Sequence, residues 1–182
     1  MRTVSLLLFC AAIGSAATAP RQSPPFSILR PGLPPLSLDS YRGKVVALVF
    51  ISTTCPHCQD FTRQLVPMAK DYTPRGVQFL ECAVDPGAQV AVPGFIQQFQ
   101  PPFPVGYNNQ AAVDAYVQRS IIDTRPFYVP HLVFLDRNGV IQGDYAGESD
   151  FVKNIAENTR AELDRLLSVG AKPAKKTANR KR

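Results

Sequence analysis

The chain has 182 residues, of which 45% are hydrophobic and 9% aromatic, a composition that fits one folded domain and excludes a mainly disordered protein. Of its 20 basic residues, six lie in the segment 172–182 and one is Arg2, which leaves 13 against 14 acidic residues. The remaining chain is therefore close to neutral, and a basic face for nucleic acid is not supported.

The first 19 residues predict an export signal. Arg2 gives a positive start, residues 4–13 are apolar, and residues 14–19 are small, as a signal cleavage site requires. An uncleaved membrane anchor is the alternative, because the apolar stretch is borderline in length for spanning a bilayer. In either case we expect the rest of the chain to be periplasmic or otherwise extracytoplasmic, where disulfides persist.

Composition divides the rest of the chain into three parts. Residues 20–43 form a proline-rich arm and lead-in, residues 44–168 carry the pattern of a folded domain, and residues 169–182 form a basic tail expected to be disordered. The 17 prolines cluster in residues 20–35 and 93–104, and both stretches are predicted to be extended loops.

Three segments have the pattern of β-structure. Residues 44–52 and 76–85 are nearly continuous apolar runs, which are typical of strands buried on both faces. Residues 131–147 contain an apolar strand, an Asn-Gly turn and a second strand, and so predict a β-hairpin.

Helical spacing of apolar residues occurs in four segments, namely 57–72, 88–100, 109–120 and a last one capped by Ser149 or Asp150. Pro67 is expected to kink or break the first helix, and Pro93 with Gly94 to cut the second. The order β-α-β-α-α-β-β-α predicts an α/β fold with a central mixed sheet flanked by helices on both faces.

The segment from Cys55 to Cys58 is the predicted reactive site, because it follows a buried strand and begins a helix. Two cysteines at i and i+3 in a first helical turn are close enough to bond, and the helix N-terminus favours the thiolate of the first. Pro56 suits the first helical position, and His57 can be cationic or donate a hydrogen bond to the Cys55 sulfur. Cys55 is therefore predicted to be the exposed attacking thiol, and Cys58 the shielded thiol that resolves a mixed disulfide.

Three motifs together resemble the thioredoxin superfamily, in particular its exported TlpA-like thiol:disulfide oxidoreductases. They are Arg42-Gly43-Lys44 before the first strand, the C-x-x-C motif, and Val129-Pro130 before a strand that ends in Asp-Arg-Asn-Gly; the likeness covers about residues 26–167. The resemblance implies a thioredoxin-like fold over residues 44–168, catalytic Cys55 and Cys58, and a redox poise set by Pro56 and His57. It further implies a cis peptide bond at Pro130 and a partner chain that binds the backbone of Val129.

The same resemblance implies substrates and partners for the reaction. No cofactor is expected, the substrates would be cysteine-containing exported proteins, apocytochromes among them, and a redox partner protein would recycle the pair. The Pro-His dipeptide between the cysteines is similar to that of the DsbA type of oxidant. His131 is grouped with Val129 and Pro130 at the partner-binding site, with a packed strand histidine as the alternative.

Two features depart from the thioredoxin pattern. Thr54 stands where tryptophan often precedes the first cysteine, and the chain has no tryptophan. Val49 stands where thioredoxins carry a buried acid. Glu81 and Asp85 flank the end of the second strand; one of them could relay protons, although solvated carboxylates are the favoured interpretation.

Three alternative hypotheses remain for the role of the cysteines. Cys55, Cys58, Cys82 and His131 could supply a zinc or copper site, but the second close ligand pair typical of structural zinc is missing. The spacing from Ser52 to Cys55 fits part of a peroxiredoxin pattern, although Leu48 replaces its upstream proline. A purely structural disulfide would close a very short loop and so stabilise the fold little. Cys82 by itself is predicted to be a buried, inert thiol.

Overall fold

The structure, a computed structural model, describes residues 19–169. The predicted export signal and the predicted basic tail lie outside the described residues, apart from Ala19 and Val169 at their borders. Between residues 19 and 169, no helix has the length and apolarity needed to cross a membrane.

Within the described residues, eight strands form one mixed sheet in the order β1-β8-β7-β4-β5-β6-β2-β3. Their bounds are β1 Arg21–Gln22, β2 Ser27–Arg30, β3 Leu33–Ser37, β4 Val45–Ile51, β5 Val77–Ala83, β6 Val105–Tyr107, β7 His131–Leu135 and β8 Val140–Tyr145. The three strands β4, β5 and β6 run parallel, and β7 and β8 join antiparallel on the other side of β4.

Four α-helices cover the sheet in the described part of the chain, and their bounds are α1 Pro56–Tyr72, α2 Ala88–Phe99, α3 Gln110–Tyr116 and α4 Ile155–Val169. Short 3-10 helices occupy Leu38–Tyr41, Thr73–Arg75 and Asp150–Asn154. Apolar residues of α1, α2 and α4 share one core with one face of the sheet, and α3 packs with the N-terminal arm on the other face. The predicted α/β fold, a thioredoxin-like sheet with helices on both faces, is confirmed.

The central strand β4 explains why the fold has two cores. All seven of its residues are buried, with Val45, Ala47, Val49 and Ile51 in the core under α1 and Val46, Leu48 and Phe50 in the core under α3. Side chains alternate between the faces of a strand, so a continuous apolar run serves both cores. Complete burial of one such side chain contributes about 1.5–3 kcal/mol, which makes β4 the main anchor of the sheet.

Both prolines that were expected to interrupt helices lie inside continuous ones. Pro67 is within α1 and Pro93 is within α2, so the prediction that Pro93 and Gly94 cut the second helix is wrong, and α1 is not broken into two. Each proline faces solvent, where water can satisfy the carbonyl that loses its amide partner. Neighbouring residues such as Met68 and Phe95 remain buried in the core, and this packing offsets the lost hydrogen bond.

The proline-rich arm is not the extended loop that the sequence predicts. It contributes three short strands, and Phe26, Ile28 and Leu38 are buried in the core under α3. Strand β2 pairs with β6, a strand that the sequence did not predict, and Gly106 allows this close approach: a side chain there would collide with the Leu29 carbonyl oxygen. The second proline-rich stretch, 93–104, is also largely helical rather than extended, since α2 continues to Phe99.

The C-terminal hairpin confirms its prediction, because β7 and β8 pair antiparallel around the turn at Asn138 and Gly139. Gly139 has a φ of +71°, a conformation that favours glycine. The cap predicted for the last helix is different: Ser149 precedes a 3-10 helix, and its hydroxyl donates to the Ala146 carbonyl instead of capping. The helix α4 follows only at Ile155.

Candidate active site

The cysteine pair lies where β4 leads into α1. Cys55 is the N-cap residue of α1, with φ −77° and ψ 118°, and Pro56 occupies the first turn. Cys55 is half-buried and Cys58 is buried, and neither is bonded in a disulfide. Cys58 follows in the first turn of α1, so the two cysteines are neighbours at the positive end of the helix.

Burial distinguishes the chemistry of Cys58 from that of Cys55. Loss of water contact raises the pKa of Cys58 well above its ordinary value, the hydrogen bond to Cys55 adds to the increase, and a hydrogen bond with the Ser52 backbone opposes it. Cys58 is therefore held as a neutral thiol, and its ionisation requires a nearby group that accepts the proton.

The burial of Glu81 is the feature that the sequence interpretation missed. Its carboxyl is fully buried on β5, directly across the parallel ladder from Val49, on the same face of the sheet as α1. The expectation of a solvated carboxylate is therefore wrong for Glu81. The missed signal is the alternation of β5: residues 77, 79, 81 and 83 face the same core, so an acid at 81 must point under α1.

Thr62 connects Glu81 to the cysteine turn. The Thr62 hydroxyl lies 2.7 Å from Glu81 Oε1 and 3.0 Å from the Cys58 carbonyl oxygen. The Thr62 hydroxyl has one proton, which it can donate to Glu81 Oε1 or to the Cys58 carbonyl oxygen. Burial raises the pKa of Glu81 to about 8, and the Thr62 hydrogen bond opposes that increase. The charge of Glu81 also raises the pKa of Cys58.

A cleft of about 390 Å³ opens beside His57, and neither Cys55 nor Cys58 is among its lining residues. Its lining includes His57, Val129 and Pro130, together with Phe61 and Gly147. The Val129–Pro130 peptide bond is cis. The structure thus brings the C-x-x-C turn and the Val129-Pro130 segment to one cleft, although it places no partner there. His57 is exposed, and within residues 19–169 no hydrogen bond joins it to the Cys55 sulfur.

The structure does not bring His131 to the cysteine pair. Its ring is buried against Phe50 and stacks on Phe127 at 5.0 Å, in the core on the opposite face of the sheet. His131 Nε2 lies 2.6 Å from Asp144 Oδ1, and Arg21 donates to the other oxygen of that carboxylate. His131 borders a second cavity of about 530 Å³ on that face, and its position matches the alternative of a packed strand histidine.

The four residues considered as metal ligands are also divided between the faces. Cys82 is buried in the core under α3, whereas Cys58 is in the core under α1. Among residues 19–169 there is no group of three or more His, Cys, Asp or Glu side chains placed to hold a metal ion. Cys82 is buried, and its pKa is raised by that burial, as expected for an inert thiol.

The loop before Cys55 is fixed by two side chains. Asp85, two residues beyond β5, accepts hydrogen bonds from the Thr53 backbone amide at 2.8 Å and the Thr53 hydroxyl at 2.6 Å. Gln59, in the first turns of α1, donates to the Thr53 carbonyl at 2.8 Å. The sequence interpretation gave Thr53 no role, since a threonine in a short loop carries no distinctive signal.

Comparison with known proteins gives a family and a fold for the chain. The sequence model of the AhpC/TSA family matches residues 21–143 of the chain. None of the curated protein sequences compared with the chain matches it.

Solved structures share the fold. A thiol:disulfide interchange protein of the thioredoxin family from Chlorobium tepidum has a TM-score of 0.62 and 22% identity, over 81% of this chain and 99% of that one. The thioredoxin domain of a thiol-disulfide oxidoreductase from Bacteroides vulgatus has a TM-score of 0.59 and 18% identity, over 79% and 99%. A candidate thioredoxin from Neisseria meningitidis has a TM-score of 0.57 and 26% identity, over 80% and 91%. These descriptions agree with the enzyme class that the sequence predicts, a thiol:disulfide oxidoreductase.

Proposed function

The chain belongs to the AhpC/TSA family, and from that premise we propose that it exchanges disulfides with exported proteins through Cys55 and Cys58. One observation supports this most directly: a half-buried cysteine caps the N-terminus of α1, and a buried cysteine lies beside it. The first cysteine is accessible to a partner at a helix N-terminus, and the second is protected from solvent and from unrelated thiols.

In the oxidising direction, a client thiolate attacks the Cys55 sulfur of the enzyme disulfide. The Cys55–Cys58 bond breaks, its electron pair goes to the Cys58 sulfur, and a mixed disulfide joins the client to Cys55. A second client thiolate then displaces the Cys55 thiolate, which leaves an oxidised client and a reduced enzyme. In the reducing direction Cys58 instead attacks the mixed disulfide and releases the reduced client.

Glu81 is proposed to handle the proton of Cys58. A carboxyl with a pKa of about 8 can hold or release a proton near neutral pH, which suits a general acid and base. When Cys58 leaves as a thiolate, protonated Glu81 supplies its proton; when Cys58 attacks, ionised Glu81 accepts one. The dry surroundings of Cys58 require such a group, because bulk water does not reach the buried sulfur.

The Val129-Pro130 segment is proposed to bind the client beside the sulfurs. Both residues line the cleft that also contains His57, so an extended client chain there would place its cysteine next to Cys55. Pro56 and His57 are proposed to set the redox poise, because both occupy the first helical turn next to the reactive sulfur.

Exported clients and an extracytoplasmic location follow from the predicted signal in residues 1–19. N-terminal sequencing of the protein recovered from cells tests this: a start after the small-residue stretch supports export with cleavage, and an intact Met1 in the membrane fraction supports an anchor. An intact Met1 in the cytosolic fraction contradicts both.

Replacing the two cysteines tests the central mechanism. We expect Cys55→Ser to abolish thiol exchange with an insulin or peptide disulfide, because no attacking sulfur remains. We expect Cys58→Ser to accumulate a mixed disulfide, because Cys55 still reacts and nothing resolves the adduct. Gel mobility under non-reducing conditions and mass spectrometry measure both outcomes.

The matched control is Cys82→Ala, which removes a thiol from the core on the opposite face and is expected to retain exchange activity. Full activity in the Cys55→Ser variant would contradict the proposed mechanism.

Peroxide reduction is a second candidate, favoured by the family match and by the spacing from Ser52 to Cys55. In that reaction the Cys55 thiolate attacks one peroxide oxygen, the O–O bond breaks, and the other oxygen leaves as water after protonation, which gives a sulfenic acid. The Cys58 thiol then condenses with the sulfenic acid to form the disulfide and a second water. Consumption of hydrogen peroxide by the reduced protein, lost in Cys55→Ser, would favour this activity over exchange.

A further inference from the structure

We propose that Asp85 is a positioning residue for the Cys55–Cys58 pair: its carboxylate holds Thr53, and through Thr53 the loop 52–54 that sets the two sulfurs side by side. This inference deepens the proposed function and rests on it. Asp85 itself contacts neither sulfur in the described structure and acts only through the loop.

The contacts of Asp85 extend the parallel ladder beyond the ends of its strands. The last backbone hydrogen bond between the β4 and β5 segments joins the Val84 amide to the Ile51 carbonyl at 2.9 Å. The ladder ends there, because the residues after β4 turn towards α1. Beyond that point the Asp85 carboxylate accepts two hydrogen bonds from Thr53, at 2.8 and 2.6 Å.

Thr53 is consequently held at every polar group that it has. Its amide and hydroxyl donate to Asp85, its carbonyl accepts from Gln59, and its exposed fraction is 7%. The loop is short and lies between a buried strand and a helix, so fixing its central residue fixes the residues on both sides. Hydrogen bonds to an ionised acceptor are roughly twice as strong as neutral ones, which suits a carboxylate for this position.

Ser52, which precedes Thr53, is bonded to the cysteine turn. The Cys55 amide donates to the Ser52 carbonyl at 3.2 Å, and the Ser52 backbone lowers the pKa of the buried Cys58 thiol. The position of Ser52 therefore affects the orientation of Cys55 at the helix tip and the surroundings of the Cys58 thiol. Thr54 and Ser52 also share a hydroxyl hydrogen bond at 3.2 Å across the turn.

The two hydrogen bonds from Thr53 to the Asp85 carboxylate, called the clamp from here on, should stabilise the two redox states unequally. In the disulfide state, a covalent bond between Cys55 and Cys58 already restricts the turn. In the dithiol state only non-covalent contacts do so, and the two hydrogen bonds from Thr53 to Asp85 are among them. Loss of the clamp should therefore destabilise the reduced state more, which makes the disulfide less oxidising.

The experiment measures the equilibrium between the reduced and disulfide forms of the full-length protein in glutathione buffers, with alkylation and mass spectrometry as the readout. Asp85→Ala is expected to shift the equilibrium constant about tenfold towards the disulfide, roughly 30 mV, because two hydrogen bonds are lost. Thr53→Val loses only the hydroxyl bond and should shift it less. The double variant should resemble Asp85→Ala, since both substitutions remove the same contact.

Conservative variants test whether geometry or mere stability is responsible. Thr53→Ser keeps the hydroxyl and should retain the parent equilibrium, and Asp85→Asn should lie between the parent and Asp85→Ala. The matched control is Asp136→Ala, because Asp136 also holds a loop through backbone amides, those of Asn138 and Val140, but at the opposite end of the sheet. It should lower the free energy of unfolding in both redox states and leave the equilibrium unchanged.

Three results would overturn the proposal: an unchanged equilibrium in Asp85→Ala, additive effects of Asp85→Ala and Thr53→Val, or an equal shift in Asp136→Ala. If Asp85→Ala does not fold, Thr53→Val compared with Thr53→Ser decides the question. These outcomes are separate from failure of the proposed function, which would appear as a parent protein that forms no Cys55–Cys58 disulfide or exchanges none.

Discussion

The proposed transfer of a proton between Glu81 and Cys58 depends on the burial of both groups. An ionised carboxylate without water would be strongly unfavourable, so burial favours the neutral acid and raises its pKa. The same burial keeps Cys58 a thiol. Two groups that both resist ionisation can exchange one proton at modest cost, because only one charge needs to exist at a time. Thr62 fixes Oε1 of this carboxyl, while Oε2 has no hydrogen-bond partner among the described residues.

His57 is exposed in the first turn of α1, and replacing it should affect redox chemistry without affecting packing. We expect His57→Ala to make the disulfide less oxidising, because it removes the side chain that we propose as a redox-tuning group next to Cys55. A contribution of about 0.3–2 kcal/mol corresponds to a decrease of roughly 6–40 mV in the reduction potential. Equilibration with glutathione measures it.

Lys70→Ala is the control for His57, since Lys70 is an exposed cation in the last turn of the same helix and should leave the potential unchanged. An unchanged or increased potential in His57→Ala would remove His57 from the mechanism.

At the scale of elements, the unit from β4 to α1 carries the site. A strand buried on both faces fixes one end of the loop, and the apolar face of α1, with Phe61, Leu65 and Met68 fully buried, fixes the other. The four residues between them, 52–55, cannot adopt many conformations, so the N-cap position of Cys55 follows from the packing of its neighbours. The Asp85 clamp on Thr53 completes this unit with a contact from the adjacent strand.

Pro67 is expected to destabilise this helix, and the effect on the free energy of unfolding can be tested. Its ring faces solvent, and residue 67 lacks the amide that would donate to the Arg63 carbonyl. We expect Pro67→Ala to raise the free energy of unfolding by about 1–3 kcal/mol, because the helix regains that bond and a better helix former. Urea denaturation followed by circular dichroism measures the change.

Pro93→Ala provides a parallel case in α2, and the redox equilibrium of the cysteine pair should stay the same in both variants. A decrease in stability would show that restriction of the unfolded chain by proline outweighs the lost hydrogen bond.

At the scale of the whole molecule, the sheet separates two groups of titratable side chains. The face under α1 and α4 carries Cys58 and Glu81, and the face under α3 carries His131 and Cys82. A layer of buried strands lies between them, so residues that are close in sequence, such as Pro130 and His131 or Glu81 and Cys82, contribute to different sites.

Burial of Glu81 should give the whole protein a characteristic pH dependence. The native pKa is about 8 and the ordinary value is 4.5, so between these values the native state holds a proton that the unfolded chain releases. The free energy of unfolding should therefore fall as the pH rises through this window, by up to about 1.4 kcal/mol per pH unit, and level off above it. Glu81→Gln should lack this slope, as measured by urea denaturation of the reduced protein across the window.

An exposed acid on α4 gives the control: Glu157→Gln should follow the parent curve. Parallel curves for the parent and Glu81→Gln would show that the buried carboxyl ionises as freely as in the unfolded chain, and the proton-handling role would then fail.

The sequence by itself determined the elements whose signal is local. The continuous apolar run of β4, the Asn-Gly turn of the hairpin and the position of the C-x-x-C motif at a helix start all follow from neighbouring residues, because hydrophobic periodicity and turn conformation are properties of short segments. They suffice for the α/β fold and for the placement of Cys55 and Cys58.

Only the tertiary structure decided which residues surround the pair. Glu81 and Asp85 lie more than twenty positions from Cys58, and the register of β4 against β5 brings Glu81 to Thr62 and Asp85 to Thr53. The strands in the proline-rich arm likewise exist because β6 offers an edge to β2, and the prolines in α1 and α2 are tolerated because core packing holds each helix. Such contacts join residues that are distant in the sequence, so no local pattern of residues predicts them.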